Sequence, residues 1–98
     1  MSKIVDITEK LSFDTNPKLM IKGKEYEVNA DAETVLKIMG ILSTEGDGPG
    51  ATIKMYELIF PEKEREKIKK LKLQFTDFSK VIEAAVNLIT GSEENKGE

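Results

Sequence analysis

Lys18-Leu19-Met20-Ile21-Lys22-Gly23-Lys24-Glu25-Tyr26-Glu27-Val28 is the stretch on which the reading of the fold turns. Two short extended runs, Leu19–Ile21 and Glu25–Val28, flank Lys22-Gly23. Gly23 supplies the positive φ that a tight hairpin turn requires. Tyr26 and Val28 alternate with Glu25 and Glu27, as a half-buried strand demands. A lone two-stranded hairpin is marginal in water, so its apolar face must lie on other elements.

Those elements follow in sequence. Asn29, Ala30 and Asp31 end the strand and offer cap oxygens to a first helix over about residues 32–43, with Asp31 and Glu33 at its positive end. Val35, Ile38, Met39 and Leu42 recur at helical spacing, and Leu36 and Ile41 widen the stripe beyond one face. A helix so broadly apolar is either central in the core or shared with another chain. Ser43 to Gly50, rich in glycine, reads as a flexible loop.

A second helix is expected over about residues 51–60, with Ile53, Tyr56, Leu58, Ile59 and Phe60 apolar, ending before Pro61. Pro61 opens a charged segment from Glu62 to Leu73. Its acids precede its bases, the order the helix dipole favours. The pairs Glu62–Arg65, Glu64–Lys67 and Glu66–Lys70 would each add roughly 0.2–0.5 kcal/mol to a solvated helix. Thr76 is the expected N-cap of a last helix whose face holds Phe78, Val81, Ile82, Ala85 and Ile89, with Gly91 as its left-handed C-cap.

The predicted fold class is therefore α+β and mainly α-helical, three to four helices with an N-terminal β-hairpin. Residues 1–17, which mix Ile4, Val5, Ile7, Leu11 and Phe13 with charges, form an extended or partly mobile segment. Edge strand and disorder both stay open for it. Residues 18–91 form the single domain, and residues 92–98 a disordered polar tail.

Composition narrows the function. The 98 residues contain no cysteine and no histidine. Disulfide scaffolds, thiolate metal sites, and cysteine or histidine catalysis are thereby excluded. Fifteen bases against eighteen acids leave a net charge of −3, which argues against nucleic acid as a partner. Apolar runs are far shorter than the roughly 20 residues of a bilayer span, and no signal-peptide stretch appears, so a cytoplasmic protein without membrane contact is expected. Gly46-Asp47-Gly48-Pro49-Gly50 is no phosphate loop: Ala51-Thr52 follows instead of Lys-Ser/Thr, and Pro49 has no N–H to donate. The carboxylates lie in exposed-looking stretches and match no calcium-loop spacing. We expect no catalytic residue, no metal and no cofactor, and hence no enzyme.

What remains is apolar surface. The aliphatic surplus of two helices, with Ile53, Tyr56, Phe60, Phe75 and Phe78, serves either as monomer core or in part as an interface. The candidate partner-binding residues are Leu36, Met39, Tyr56, Phe60, Phe78, Ile82 and Ile89, and self-association into a homo-oligomer is a further expectation.

The hairpin, then Lys24 to Ile38, the charged helix, and Leu73-Gln74-Phe75-Thr76-Asp77-Phe78-Ser79-Lys80-Val81-Ile82-Glu83-Ala84-Ala85 closing with Thr90-Gly91, resemble the tail assembly chaperones of long-tailed phages and prophages. The resemblance covers about residues 19–91, rests on the order of generic motifs, and departs in its longer Gly-rich loop. It implies a small, mostly helical chaperone that coats the long, helix-rich tape-measure protein, meets other tail proteins, and keeps its client soluble in the bacterial host cytoplasm. It also implies that a longer, frameshifted form could join at residues 92–98. It carries no catalytic motif. Two other classes fit a small acidic helical protein. A virion structural subunit of the tail or connector would remain in purified particles. A nucleic-acid-binding regulator would show steeply salt-dependent binding.

Overall fold

The computed structural model describes residues 3–11, 16–46 and 48–91. Strands β1 (Lys18–Ile21) and β2 (Lys24–Glu27) pair antiparallel, with Leu19 opposite Tyr26 and Ile21 opposite Lys24. Lys22 and Gly23 both take positive φ, 51° and 80°, as a two-residue primed turn requires. The register turns Leu19, Ile21, Tyr26 and Val28 inward and leaves Lys18, Met20 and Glu25 in solvent. The expected hairpin is present, and the fold is α+β and mainly helical.

Helix α1 runs Ala32–Glu45, α2 Pro49–Ile59, α3 Glu62–Leu71 and α4 Phe75–Thr90. Asp31 caps α1: its carboxylate accepts from the Thr34 amide (3.2 Å) and hydroxyl (2.8 Å). Those bonds, the hydroxyl's first, hold the Asp31 pKa below the ordinary carboxylate value. Helix α2 packs on both α1 and α4. The core gathers Tyr26 and Val28 from the hairpin, Ile38 from α1, Ala51, Met55, Ile59 and Phe60 in and just after α2, Ile68 from α3, and Ile82 and Ala85 from α4.

Several expectations change. The loop between the first two helices is shorter than read: Ser43, Thr44 and Glu45 stay helical. Helix α2 starts at Pro49, whose fixed φ and missing N–H suit a first turn. Lys54 then reaches back to Glu45 (2.7 Å) and ties the two helices together. The last helix begins one residue before Thr76, because Gln74 is already extended and its carbonyl accepts from the Phe78 amide (2.8 Å). The C-cap at Gly91 is left-handed, as expected, at φ 78°. In the N-terminal segment, residues 3–11 pair with no strand and hold one short 3₁₀ turn at Thr8–Lys10. Residues 12–15 of that segment and the polar tail 92–98 lie outside the described residues.

The charged helix α3 faces water only in part. Glu64 and Ile68 are buried on its inner face. Lys67 Nζ lies 2.9 Å from Glu64 Oε1, donates to the Glu25 carbonyl (3.1 Å), and sits 4.8 Å from the centre of the Tyr26 ring. Lys67 thus joins α3 to the hairpin through one cation. Glu64 Oε1 receives no aligned hydrogen bond among the described residues, so its pairing with Lys67 is chiefly coulombic. Glu66 pairs with Lys69 (3.4 Å) and not Lys70, while Arg65 turns away from Glu62 toward the end of α2.

Two predictions follow from these contacts. Lys67→Met should destabilise by about 1–3 kcal/mol in urea unfolding, because it strands a buried carboxylate. Lys69→Met, which loses only an exposed pair, should stay within about 0.5 kcal/mol. Equal losses in the two variants would contradict the role given to Lys67. For the cap, a depressed folded pKa stabilises above the unfolded value of about 3.9, and this contribution fades as pH falls through the folded value. Asp31→Ala should therefore lower Tm at neutral pH, and its gap to the parent should close on acidification below about pH 4. A gap that persists unchanged into strong acid would show that the carboxylate charge plays no part.

Candidate protein-binding surfaces

The core consumes only part of the apolar side chains, and some of the remainder lines two open surfaces. The first is a groove between α1 and α4. Its two adjoining hollows, about 460 Å³ each, share Leu42 and Val86 in their walls. Met39 and Thr90 extend it toward the C-terminal end of α4, and Met55 and Ile82 form its apolar floor toward α2. The groove exists because α1 offers an apolar stripe wider than one neighbour can cover. Ile38 is fully buried, whereas Met39 is 52% exposed and Leu36 67%.

The second surface is a cleft of about 400 Å³ where α3 meets the start of α4. It is lined by Tyr56, Ile68, Leu73, Phe75 and Phe78, with Lys69 and Lys72 on its edge. Three features build it. Lys72 takes the left-handed conformation at φ 53°, which ends α3 and turns the chain back sharply. Tyr56 meets Phe78 edge-on, with ring centres 4.9 Å apart, and sits 5.9 Å from Phe60. The Tyr56 hydroxyl donates to the Arg65 carbonyl (3.2 Å), which fixes the ring against α3. Partial burial raises the Tyr56 pKa above that of a free tyrosine, so the hydroxyl remains a neutral donor at physiological pH. Phe75, at the mouth, is 62% exposed.

The residues singled out from sequence divide among the groove, the cleft, the core and open solvent. Met39 lines the groove, and Leu36 stands in solvent further round α1. Tyr56 and Phe78 line the cleft. Phe60 is completely buried and Ile82 nearly so, so in the monomer they support the two surfaces rather than present area to a partner. Ile89 packs half-buried on the core. No single patch brings the seven together.

Sequence reasoning passed over Leu42 and Val86 as contact residues, although Leu42 lies on the apolar stripe of α1 and Val86 beside that of α4. It treated Phe75 as spare bulk, because an apolar residue ahead of the expected N-cap carries no periodic signal. Met55 was also missed. It completes an Ala51, Met55, Ile59 series four residues apart, and this series is the buried face of α2.

Among the described residues no three acidic side chains gather where a metal could be held, and no helix is long and apolar enough to cross a membrane. Comparison with protein-family models, curated proteins and solved structures finds no match for this chain.

Proposed function

We propose that this chain is a tail assembly chaperone of the long-tailed phage type, working by protein–protein contact in the host cytoplasm on a long, helix-rich tape-measure client. One observation carries the reading: an aromatic cleft lined by Tyr56, Phe75 and Phe78 opens on a small acidic domain. An amphipathic helix exposing apolar side chains at helical spacing fits such a cleft, as in other helix-in-groove recognition. Lys69 and Lys72 on the edge favour acidic residues beside the client's apolar stripe. The remaining charges keep the coated client in solution.

Affinity at one cleft of this size is modest. A long client carries many such stripes, so a coat of repeated weak contacts holds by avidity. Repeated engagement suits a chaperone that must come off as the tail polymerises. The resemblance in the order of hairpin, charged helix and final helix points the same way.

Phe75 separates binding from folding because it lies largely in solvent. On co-expression with the tape-measure protein, the parent should keep the client in the soluble fraction and co-purify with it. Phe75→Asp should fold normally by circular dichroism and lose most of that co-purification. Ile53→Asp, 56% exposed on α2 and outside the cleft, should retain it. A folded Phe75→Asp variant that still solubilises the client as the parent does would remove the cleft from the mechanism.

A further inference from the structure

We infer that the groove between α1 and α4 is filled by the N-terminal arm, residues 3–11, of a second copy of this chain. The contact is independent of the client assigned to the aromatic cleft, since the groove and the cleft share no lining residue.

The occupant is identified by what the chain itself leaves open. Every residue of the arm is exposed, and four of them are large and aliphatic. Ile4 is 91% exposed and Val5 71%, and Ile7 and Leu11 are each open over about half their surface. Such a cluster on a short segment gains free energy only by covering an apolar surface. Within one chain these four side chains stay about half exposed or more. The arm leaves the body beside the hairpin, where the Asn16 side chain donates to Glu27 Oε2 (3.0 Å) and accepts from the Ala30 amide (3.4 Å). The described residues of the same chain meanwhile line the groove without filling it.

Charge is compatible with the same pairing. Glu83 is the one charged side chain among the described residues lining the groove, and it makes no ion pair with any of them. The arm is net neutral, with Asp6 and Glu9 balancing Lys3 and Lys10, and its two bases stand next to Ile4 and Leu11, where docking would set one beside that acid. The arm is also partly organised in advance. The Asp6 carboxylate accepts from the Thr8 amide (3.0 Å) and hydroxyl (2.6 Å) and sets the turn between Ile7 and Leu11. Less ordering is then lost on docking.

Each copy offers one arm and one groove, so the contact is heterologous. It generates a ring where the rotation closes and an open chain of copies where it does not.

Sedimentation of the full chain at micromolar concentration should show species heavier than the 11.0 kDa monomer. The double variant Ile7→Asp/Leu11→Asp alters only exposed residues and should sediment as a folded monomer, its self-affinity reduced about tenfold or more. Met39→Asp/Leu42→Asp, on the groove side, should behave the same way. Mixing these two variants should restore one contact, because one brings an intact groove and the other an intact arm. The mixture should give a 1:1 heterodimer of twice the 11.0 kDa mass. A monomeric parent would overturn the inference, including one whose arm is protected by docking on its own groove. So would an arm variant that assembles like the parent, or a mixture that stays monomeric.

Discussion

The last turn of α2 is the point on which the rest of the structure depends. A helix leaves its final carbonyls without intrahelical partners, and here they lie beside Ile59 and Phe60, both fully out of solvent. One backbone amide and two side chains, from two directions, satisfy them. Asn29, just after the hairpin, donates its amide to the Ile59 carbonyl (2.7 Å) and its side chain to the Leu58 carbonyl (3.0 Å). Arg65, in the first turns of α3, donates to the carbonyls of Phe60 (2.6 Å) and Glu57 (3.1 Å). The hairpin, α2 and α3 are thereby locked around one helix end. Losing one of these bonds would cost about 0.5–1.5 kcal/mol, a sizeable share of the stability of a domain this small.

This arrangement explains why the surfaces are where they are. A chain of 98 residues buries too small a fraction of its surface to enclose every aliphatic side chain. With the core drawn to the end of α2, only part of α1 and α4 is covered, and the groove between them stays open. On the other flank, the turn at Lys72 and the T-shaped Tyr56–Phe78 contact hold the cleft in shape without a ligand. Both surfaces are formed by contacts within the chain, so a partner docking on either would not have to reorder the domain. Copies joined arm to groove would present their clefts in series, the geometry that many weak contacts on one long client require.

Much of the fold was legible because the local signals agree with one another. Lys22-Gly23 between alternating strands, Asp31 ahead of an apolar stripe, Pro61 between two helices and Gly91 at the last cap each mark a boundary by a local mechanism, and each is used. The readings that failed depend on contacts between elements rather than within one. Glu64 reads as one more solvated acid of α3 until Lys67 is seen to lie against Tyr26 and the Glu25 carbonyl. Arg65 reads as a partner for Glu62, yet two carbonyls of α2 draw it away. The surfaces were less legible for a related reason. Periodicity shows that a side chain lies on an apolar face but not whether a neighbour covers it, so Phe60 and Met39 look alike in sequence and differ completely in exposure.

Native-state amide hydrogen exchange tests the central role of the α2 terminus most directly. The amides of Asn29, bonded to Ile59, and of Phe60, bonded to Tyr56, should exchange only through global unfolding. Amides in the last turn of α1 and in the Thr8–Lys10 turn should open at much lower free energy. Exchange of Asn29 and Phe60 at the same low opening energy as those segments would contradict the account, because the helix end could then not be what holds the domain together.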